Sequence, residues 1–244
     1  MKVQAWGKTD KGIKRAANQD SIYLSEALGL FVVADGMGGH KGGEVASKIA
    51  VDTVSELVEK WRQKPKQKET PRELIERVFH ESCKRIFDKS NENKKLKGMG
   101  TTMVLALRVD DYIYIGNVGD SRCYTMEGVH LWQITEDHSL VYEQMRAGII
   151  KPEDIDRVEG KNIITRSVGY EPEVTVDVFE RKLKPGAKFL LCSDGLYGMV
   201  DNDRINEICL LLDTKEWPDR MIYESNQAGG DDNISIVGLT VSES

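Results

Sequence analysis

Four apolar runs rich in β-branched residues each adjoin an aspartate that is flanked by glycine. Three of the runs end at the aspartate, in residues 30–36, 113–120 and 189–195. The fourth is reversed, because residues 229–233 hold the glycines and aspartates and the apolar run 234–239 follows them. Such runs predict buried strands, and glycine permits tight turns where strands end. Strands that are distant in sequence can therefore bring their carboxylates to one edge of a sheet.

These aspartates favour a metal centre over a set of unrelated turns. A single Asp-Gly pair is most simply a turn signal, but four of them at strand ends are poorly explained by chance. Carboxylates that cluster repel one another and need compensating cations. Because all the ligands would be oxygens, the ions that suit such a site are Mg²⁺, Mn²⁺ or Ca²⁺.

The composition excludes several classes of protein. At 244 residues, the chain is expected to form a single domain over 1–244. A net charge of −6 argues against nucleic acid as a partner. The four cysteines form no CxxC pair, which is typical of buried free thiols in a reducing compartment. With no leader and no apolar run of about 18 residues, we expect a cytoplasmic protein that does not bind membranes.

The middle of the chain predicts a meander of antiparallel strands. The expected strands cover residues 102–109, 112–118, 122–126 and 129–134, and two or three residues separate each from the next. Turns this short join antiparallel strands, because a parallel crossover needs a dozen residues or more. Further strands are expected near the start of the chain at residues 3–6 and 21–25. Two more are expected at 174–181 and 188–192, and a last one near the end of the chain at 234–241.

Helices are predicted in two pairs. Apolar residues recur at helical spacing over 45–61, and a capping box at Thr70 starts the next helix. A second pair is expected near 203–212 and 218–228, whereas the glycine-rich segment 37–43 is expected to be irregular. Strand meanders with separate helix pairs indicate an α+β fold. The architecture that buries every apolar stripe is a four-layer α-β-β-α sandwich, in which two antiparallel sheets are flanked by helix pairs.

Six motifs follow one another along the chain. They are Arg15-Ala16-Ala17-Asn18-Gln19-Asp20, Val33-Ala34-Asp35-Gly36-Met37-Gly38-Gly39-His40, Gly98-Met99-Gly100-Thr101-Thr102, Gly119-Asp120-Ser121-Arg122, Ser193-Asp194-Gly195 and Gly230-Asp231-Asp232-Asn233. In this order they resemble the motifs of the metal-dependent protein phosphatases, the PPM or type 2C family. The Asp-Gly-Met-Gly-Gly run and residues 162–169 resemble its bacterial serine/threonine phosphatases. The resemblance covers nearly the whole chain and implies the same α-β-β-α sandwich.

The function that this resemblance implies is metal-dependent hydrolysis of phosphorylated serine and threonine in proteins. A cognate serine/threonine kinase would be the signalling counterpart, and a monomer is expected. Phosphate monoesters resist hydrolysis, so a catalyst must supply a nucleophile and neutralise charge at phosphorus. Two metal ions about 3.5–4 Å apart do both, and the hydroxide that they activate attacks in line without a covalent enzyme intermediate.

The resemblance also implies which residues hold the metal ions, which would be Mn²⁺ or Mg²⁺. Asp35 would bridge two ions, and the carbonyl of Gly36 would serve the second of them. Asp194 and Asp232 would serve the first ion. Asp120 resembles the residue that, together with Asp194, holds a weaker third ion in this family. Backbone carbonyls and carboxylates are both suitable ligands for hard divalent ions.

Three residues are expected beside the ligands: Asp20, Gln19 and Asn233. Asp20 would accept a hydrogen bond from metal-bound water, and Gln19 stands where many relatives have glutamate. Side chains alternate along a strand, so Asp231 and Asp232 cannot both face the site. The family pattern places the ligand directly before Asn233, which favours Asp232.

Two further roles concern the substrate. Arg15 is expected to bind the phosphate, because guanidinium can donate two parallel hydrogen bonds that lysine cannot copy. Many family members place histidine, a candidate general acid, directly after the Asp-Gly pair, but Met37 stands there in this chain. His40 is the nearby alternative acid, and metal-bound water is another.

Three other functions share parts of this pattern. A catalytically silent module on the same fold would be favoured by the loss of Asp35, Asp194 or Asp232, and all three are present. A nucleotide-binding loop at 36–43 lacks the GxxxxGK[ST] context, and tight binding of ATP would separate that function from a phosphatase. An enzyme that forms a phospho-aspartyl intermediate would need Asp-x-Asp directly after a strand, which none of the apolar runs has.

Residues 138–160 are expected to form a flap beside the active site. The segment separates two groups of strands and lacks the apolar stripe of a core helix, and seven acidic side chains occur in 136–159. Such a segment contributes little to stability but is exposed to substrates. We therefore expect it to help select among phosphoproteins, with Glu153, Asp154 and Asp156 taking part.

Overall fold

The computed structural model describes residues 1–64, 68–151, 160 and 163–243, apart from the side chains of residues 39–41. The strands in these ranges are β1 (Lys2–Asp10), β2 (Asp20–Ser25), β3 (Leu30–Met37), β4 (Gly100–Thr101), β5 (Met103–Val109), β6 (Tyr112–Val118), β7 (Arg122–Glu127), β8 (His130–Gln133), β9 (Asp177–Lys182), β10 (Lys188–Cys192) and β11 (Ile234–Ser242). The helices are α1 (Gly39–Arg62), α2 (Pro71–Glu92), α3 (Leu140–Arg146), α4 (Asp194–Tyr197), α5 (Asn202–Leu211) and α6 (Trp217–Gln227).

The strands form two antiparallel sheets. One sheet has the order β1-β11-β10-β7-β8, and the other has the order β2-β3-β5-β6-β9 with the short β4 paired to β3. Two of the three hairpins predicted between residues 102 and 134 are present, since β5 pairs with β6 and β7 pairs with β8. The hairpin predicted between residues 112–118 and 122–126 is wrong. The second and third of these four strands belong to different sheets, so the turn at Gly119 to Ser121 carries the chain from one sheet to the other.

Alternate residues of the central strands face different layers. On β3, Phe31 belongs to the core between the two sheets, whereas Val32 belongs to the core under α1 and α2. On β11, Val237 belongs to the core between the sheets and Ile236 to the core under α4, α5 and α6. Full burial of one such side chain is worth about 1.5–3 kcal/mol. The α+β fold and the four-layer α-β-β-α sandwich predicted from the sequence are confirmed.

The prediction that residues 37–43 are irregular is wrong, because α1 begins at Gly39. The first turns of this helix lie against other backbone. A Cβ on Gly42 would come within 3.0 Å of the Met99 Cβ, and a Cβ on Gly43 would overlap the carbonyl of Gly36. The glycines that lower helix propensity are thus the residues that let the helix begin so close to β3. The capping box at Thr70, by contrast, is present at the start of α2 as predicted.

Part of the predicted flap is described. Residues 138–151 include α3, and Ser139 and Ile164 form an antiparallel bridge that joins the two stems of the segment. The Leu140 N–H donates to the Ile163 carbonyl at 2.8 Å. Glu153, Asp154 and Asp156 lie outside the described residues, so their part in substrate selection stays a prediction.

Two further findings bear on the composition. All four cysteines are buried free thiols, as their spacing predicts. Among the helices of the described ranges, none combines the length and the apolar character that a bilayer-crossing segment needs.

Candidate metal centre

Five aspartates from five segments meet at one end of the sandwich. Asp20 and Asp35 are paired across β2 and β3. Asp120 follows β6, Asp194 begins α4 directly after β10, and Asp232 precedes β11. Burial, and then the charges of the other four, raise the pKa of Asp35 well above its ordinary value. Asp35 is therefore within electrostatic reach of the other four carboxylates.

Burial and repulsion disfavour the ionised forms of four of these side chains, those of Asp20, Asp35, Asp120 and Asp194. Burial is the largest cause in every case, and it raises the pKa values of Asp20 and Asp120 to about 7 and that of Asp194 to about 6. Neighbouring carboxylates add to the rise in each of the three. The cluster therefore has an electrostatic reason to bind cations.

Asp20 lies at the seam between the two sheets. Its Oδ2 accepts hydrogen bonds from Ser193 Oγ at 2.9 Å and from Ser235 Oγ at 2.7 Å. Both serines belong to the opposite sheet or its continuation, and Ser193 directly precedes Asp194. The other carboxylate oxygen, Oδ1, is buried and has no hydrogen-bond partner within the described residues. One oxygen thus fixes the side chain, and the other is directed into the protein without a partner.

Two glycines bring the ligand segments into backbone contact. A Cβ on Gly36 would overlap the carbonyl of Gly43, and a Cβ on Gly195 would overlap the carbonyl of Asn233. Any larger residue at either position would require the backbone to move. The first contact holds the predicted carbonyl ligand against α1, and the second holds the segment of Asp194 against that of Asp232.

A series of hydroxyl groups connects Asp35 with the turn that carries Asp120. The Asp35 N–H donates to Thr102 Oγ1 at 3.1 Å, and the Asp35 carbonyl accepts a hydrogen bond from Thr101 Oγ1 at 2.8 Å. Thr102 Oγ1 also lies 2.7 Å from Ser121 Oγ. Thr101, Thr102 and Ser121 belong to the sequence motifs. Their role could not be predicted from the sequence, because their hydrogen-bond partners lie in other segments of the chain.

Arg15 lies at the rim of the cluster, with its guanidinium on a carboxylate. Its Nη2 is 2.6 Å from Asp232 Oδ2, and its Nε donates to the Asp231 carbonyl at 3.3 Å. The Arg15 side chain is 52% exposed. The Asp231 side chain is half-exposed and pairs with Lys14 at 2.7 Å. The structure therefore places Asp232, and not Asp231, among the clustered carboxylates.

Asn233 connects the segment of Asp232 with the loop that carries Arg15. Its Oδ1 accepts a hydrogen bond from the Gln19 N–H at 2.7 Å, and its Nδ2 donates to the Ala17 carbonyl at 3.0 Å. Both contacts are with backbone, so Asn233 fixes the path of the loop.

The predicted general acid His40 cannot be placed in the same way, since its side chain lies outside the described part of the chain.

The donor set fits hard divalent ions. All the clustered side-chain donors are oxygens, and the buried Oδ1 atoms of Asp20 and Asp194 have no hydrogen-bond partner within the described residues. In that part of the chain, no three acidic, histidine or cysteine side chains are already arranged as a cage for an ion. One of the clustered carboxylates, that of Asp232, is already paired with Arg15 at 2.6 Å.

Comparisons with known proteins agree with this fold. The family model described as protein phosphatase 2C matches residues 12–226. The serine/threonine phosphatase stp of Listeria monocytogenes is 38% identical over 236 residues, which cover 94% of this chain and 92% of the relative. Protein phosphatase PhpP of Streptococcus pneumoniae is 34% identical over 241 residues, 96% of each chain.

Solved structures give the same result. The serine/threonine phosphatase PstP/Ppp of Mycobacterium tuberculosis superposes with a TM-score of 0.91 at 29% identity over 100% of both chains. The catalytic domain of PstP in complex with two manganese ions superposes with a TM-score of 0.87 at 29% identity over 99% of both chains.

The fold and these relatives together show that the chain is a protein-serine/threonine phosphatase of the bacterial type. The chain belongs to the protein phosphatase 2C family. The family resemblance found in the sequence is thereby confirmed, whereas the roles of the individual site residues remain predictions.

Removal of one charge from the cluster should stabilise the ion-free protein. In EDTA at pH 8, Asp35→Asn should melt above wild type, because the amide keeps the shape of the side chain without its buried charge. Each kcal/mol of relieved repulsion corresponds to roughly 2–4 °C for a chain of this size. Mn²⁺ or Mg²⁺ should raise the melting temperature of wild type and reduce the difference. Differential scanning calorimetry measures both effects.

The matched control is Asp231→Asn, which removes the same charge from the neighbouring segment but outside the cluster. Its melting temperature should change little, since surface substitutions usually shift stability by no more than about 0.5 kcal/mol. An EDTA-treated Asp35→Asn protein that melts below wild type would contradict the argument from repulsion.

Proposed function

We propose that this enzyme hydrolyses phosphoserine and phosphothreonine in proteins with two divalent ions, Mn²⁺ or Mg²⁺, and without a covalent enzyme intermediate. The observation that carries the proposal is the cluster of five aspartates at one end of the sandwich. The relative solved with two manganese ions supports this choice of ions. Bound together, two such ions would supply an acidified water and neutralise phosphoryl oxygens for in-line attack.

The position of each aspartate suggests its role. Asp35 is within reach of all the others and is proposed as the carboxylate shared by both ions, with the Gly36 carbonyl on one side. Asp194 and Asp232 are proposed to hold the other ion. After burial, the charge of Asp194 is the largest cause of the raised pKa of Asp120. Asp120 is proposed to hold a weaker third ion. Each role uses an oxygen donor of this chain.

Two residues beside the ligands are proposed to act on water and substrate. Asp20 is anchored through Oδ2. Its Oδ1 has no hydrogen-bond partner within the described residues, so it is available to orient a water molecule by accepting a hydrogen bond from the water O–H. Arg15 is half-exposed at the rim and is proposed to bind the phosphate of the substrate. Its planar guanidinium suits a tetrahedral oxyanion because two N–H groups can donate in parallel.

Loss of a proposed ligand should abolish most turnover while the fold is retained. Asp35→Asn, Asp194→Asn and Asp232→Asn should each lower kcat by at least about a hundredfold on a phosphothreonine peptide and on an aryl phosphate. EDTA should abolish turnover by wild type, and Mn²⁺ should restore it. Asp231→Asn is the matched control and should keep kcat close to that of wild type.

Two results would reject this proposal. Full activity after exhaustive chelation would show that the ions are not required. A near-normal kcat for any of the three variants would show that the ligand in question is misplaced. Circular dichroism spectra that match wild type are needed in each case, so that lost activity is not confused with unfolding.

Substitution of Arg15 should weaken substrate binding more than turnover. Arg15→Ala should raise KM, with a loss of about 1–3 kcal/mol in kcat/KM for a charge-assisted hydrogen-bonding pair. Arg15→Lys should lie between wild type and alanine, because it keeps the charge and loses the paired donors. Kinetics at saturating Mn²⁺ is required, since Arg15 also holds Asp232.

The neighbouring Lys14→Ala is the control for this experiment, because Lys14 pairs with the half-exposed Asp231. Its KM should match that of wild type. An unchanged KM in both Arg15 variants would leave Arg15 without a role in phosphate binding.

A cavity that begins at Met37, two residues after Asp35, is proposed to receive the residues that flank the phosphorylated one. Its volume is about 770 Å³, and it extends from Met37 to α2 and to the loop that follows the flap. Glu76, Glu171 and Glu173 line it. Among the described residues of its lining, only Arg166 carries a guanidinium, and this group already lies 3.4 Å from Asp177. The cavity and the flap together are therefore proposed to favour basic side chains near the phosphate.

Neutralising the cavity should change peptide selection without changing the chemistry. Glu171→Gln with Glu173→Gln should raise KM for phosphopeptides with flanking arginines several-fold and leave turnover of a small aryl phosphate almost unchanged. Glu180→Gln, an exposed substitution on β9, is the control. Equal losses on all substrates would instead indicate that the loop supports the catalytic frame.

The cellular setting completes the proposal. We propose a cytoplasmic monomer, folded as a single domain, that opposes a cognate serine/threonine kinase in a bacterial signalling pathway. The named relatives, which are serine/threonine phosphatases of bacteria, support this setting.

A further inference from the structure

His138 is buried directly beneath the turn that carries Asp120. The residue is 5% exposed, and it contacts Gly119, which precedes Asp120. The Gly119 N–H donates to the imidazole Nδ1 at 3.1 Å, and the backbone N–H of His138 donates to the Gly119 carbonyl at 3.0 Å. One histidine therefore satisfies both backbone polar groups of the residue before a proposed ligand.

These contacts determine the tautomer of His138. Because Nδ1 accepts a hydrogen bond, the proton of the neutral ring must be on Nε2. Nε2 lies 3.1 Å from Asp177 Oδ2, which can accept that proton in a hydrogen bond. Burial lowers the pKa of His138 and so favours the neutral ring. Arg166 Nη1 lies 3.4 Å from the other oxygen of Asp177 and 3.3 Å from Nε2 itself, and its charge also favours the neutral ring.

Other contacts also restrict the turn that carries Asp120. Gly119 has a φ of +103°, and a Cβ there would lie 2.6 Å from the Cβ of Thr102. The hydroxyl of Tyr197 donates to the Asp120 carbonyl at 3.0 Å. The backbone on both sides of Asp120 is thus fixed by side chains from other segments. Without an acceptor such as His138 Nδ1, the Gly119 N–H would be left buried without a partner.

His138 also belongs to the base of the flap. Its carbonyl accepts a hydrogen bond from the Thr165 N–H at 2.8 Å, and the following residue, Ser139, bridges Ile164. The ring that holds the Asp120 turn and the backbone that joins the two flap stems are parts of the same residue. Movement of the stems would therefore be transmitted to the turn.

We propose that His138, oriented by Asp177, is a positioning residue that fixes the Asp120 carboxylate for binding its ion and connects that carboxylate to the base of the flap. The inference rests on the proposed function only in treating Asp120 as an ion ligand. Loss of the Nδ1 acceptor should loosen the turn and weaken the most weakly held ion. The effect should appear in the metal dependence of the enzyme more than in kcat at saturating metal.

Two substitutions separate the two ring nitrogens. His138→Asn can present an oxygen near the position of Nδ1 and so keep an acceptor for Gly119, whereas His138→Gln can reach the position of Nε2 and Asp177 but leaves Gly119 without its partner. His138→Gln should raise the Mn²⁺ concentration for half-maximal activity about tenfold, and His138→Asn should raise it less. His130→Asn, at an exposed position on β8, should behave as wild type.

Isothermal titration of EDTA-stripped proteins with Mn²⁺ gives a measurement independent of activity. The weakest binding phase of wild type should be lost in Asp120→Ala and weakened in His138→Gln. Asp177→Asn leaves the imidazole in place and should weaken the same phase to a smaller extent, which keeps the test available if a His138 variant does not fold.

The outcomes separate the two proposals. If wild type binds no Mn²⁺, the proposed function fails. If wild type binds Mn²⁺ but both His138 variants and Asp177→Asn bind it as wild type does, only the positioning role fails. Equal impairment of His138→Asn and His138→Gln would also overturn it, because the acceptor at Nδ1 would then not be the deciding feature.

Discussion

Repulsion among the aspartates at the end of the sandwich is the constraint on which the rest of the site depends. Several carboxylates that are taken out of water and placed near one another disfavour the folded state unless cations or protons compensate them. The surrounding groups meet this condition in two ways. Arg15 supplies positive charge to Asp232, and the serine hydroxyls at the seam donate hydrogen bonds to Asp20. Each group lowers the free energy of the cluster and also fixes the direction of a carboxylate.

The two sheets provide the rigidity that such a cluster needs. Asp20 is on one sheet and its hydroxyl donors, Ser193 and Ser235, lie at the end of the other, so the sheets are joined at the site as well as through the apolar core. The close backbone contact at Gly195 adds a third connection. Well-packed layers resist deformation, and carboxylates held at their ends keep their spacing despite repulsion.

Sequence reasoning predicted the elements and the acidic residues better than it predicted their supports. Short turns correctly identified the hairpins β5-β6 and β7-β8, but the same argument failed for β6 and β7, because the three-residue turn between them passes from one sheet to the other. The start of α1 was predicted wrongly, because a contact between Gly43 and Gly36, seven residues apart, outweighs the low helix propensity of glycine. Local preference cannot report such tertiary contacts.

The residues that support the cluster escaped the sequence for a physical reason. A metal ligand must be an oxygen donor of definite charge at a strand end, so the chemistry itself restricts which residues can serve, and aspartate stands out. A support has only to present one donor or acceptor at one place, which serine, threonine or histidine can each do. His138 resembles any isolated histidine until the pairing of the flap stems brings its ring to Gly119. The proposed ligands are therefore visible in the sequence, whereas the groups that would orient them become visible only once strand register is known.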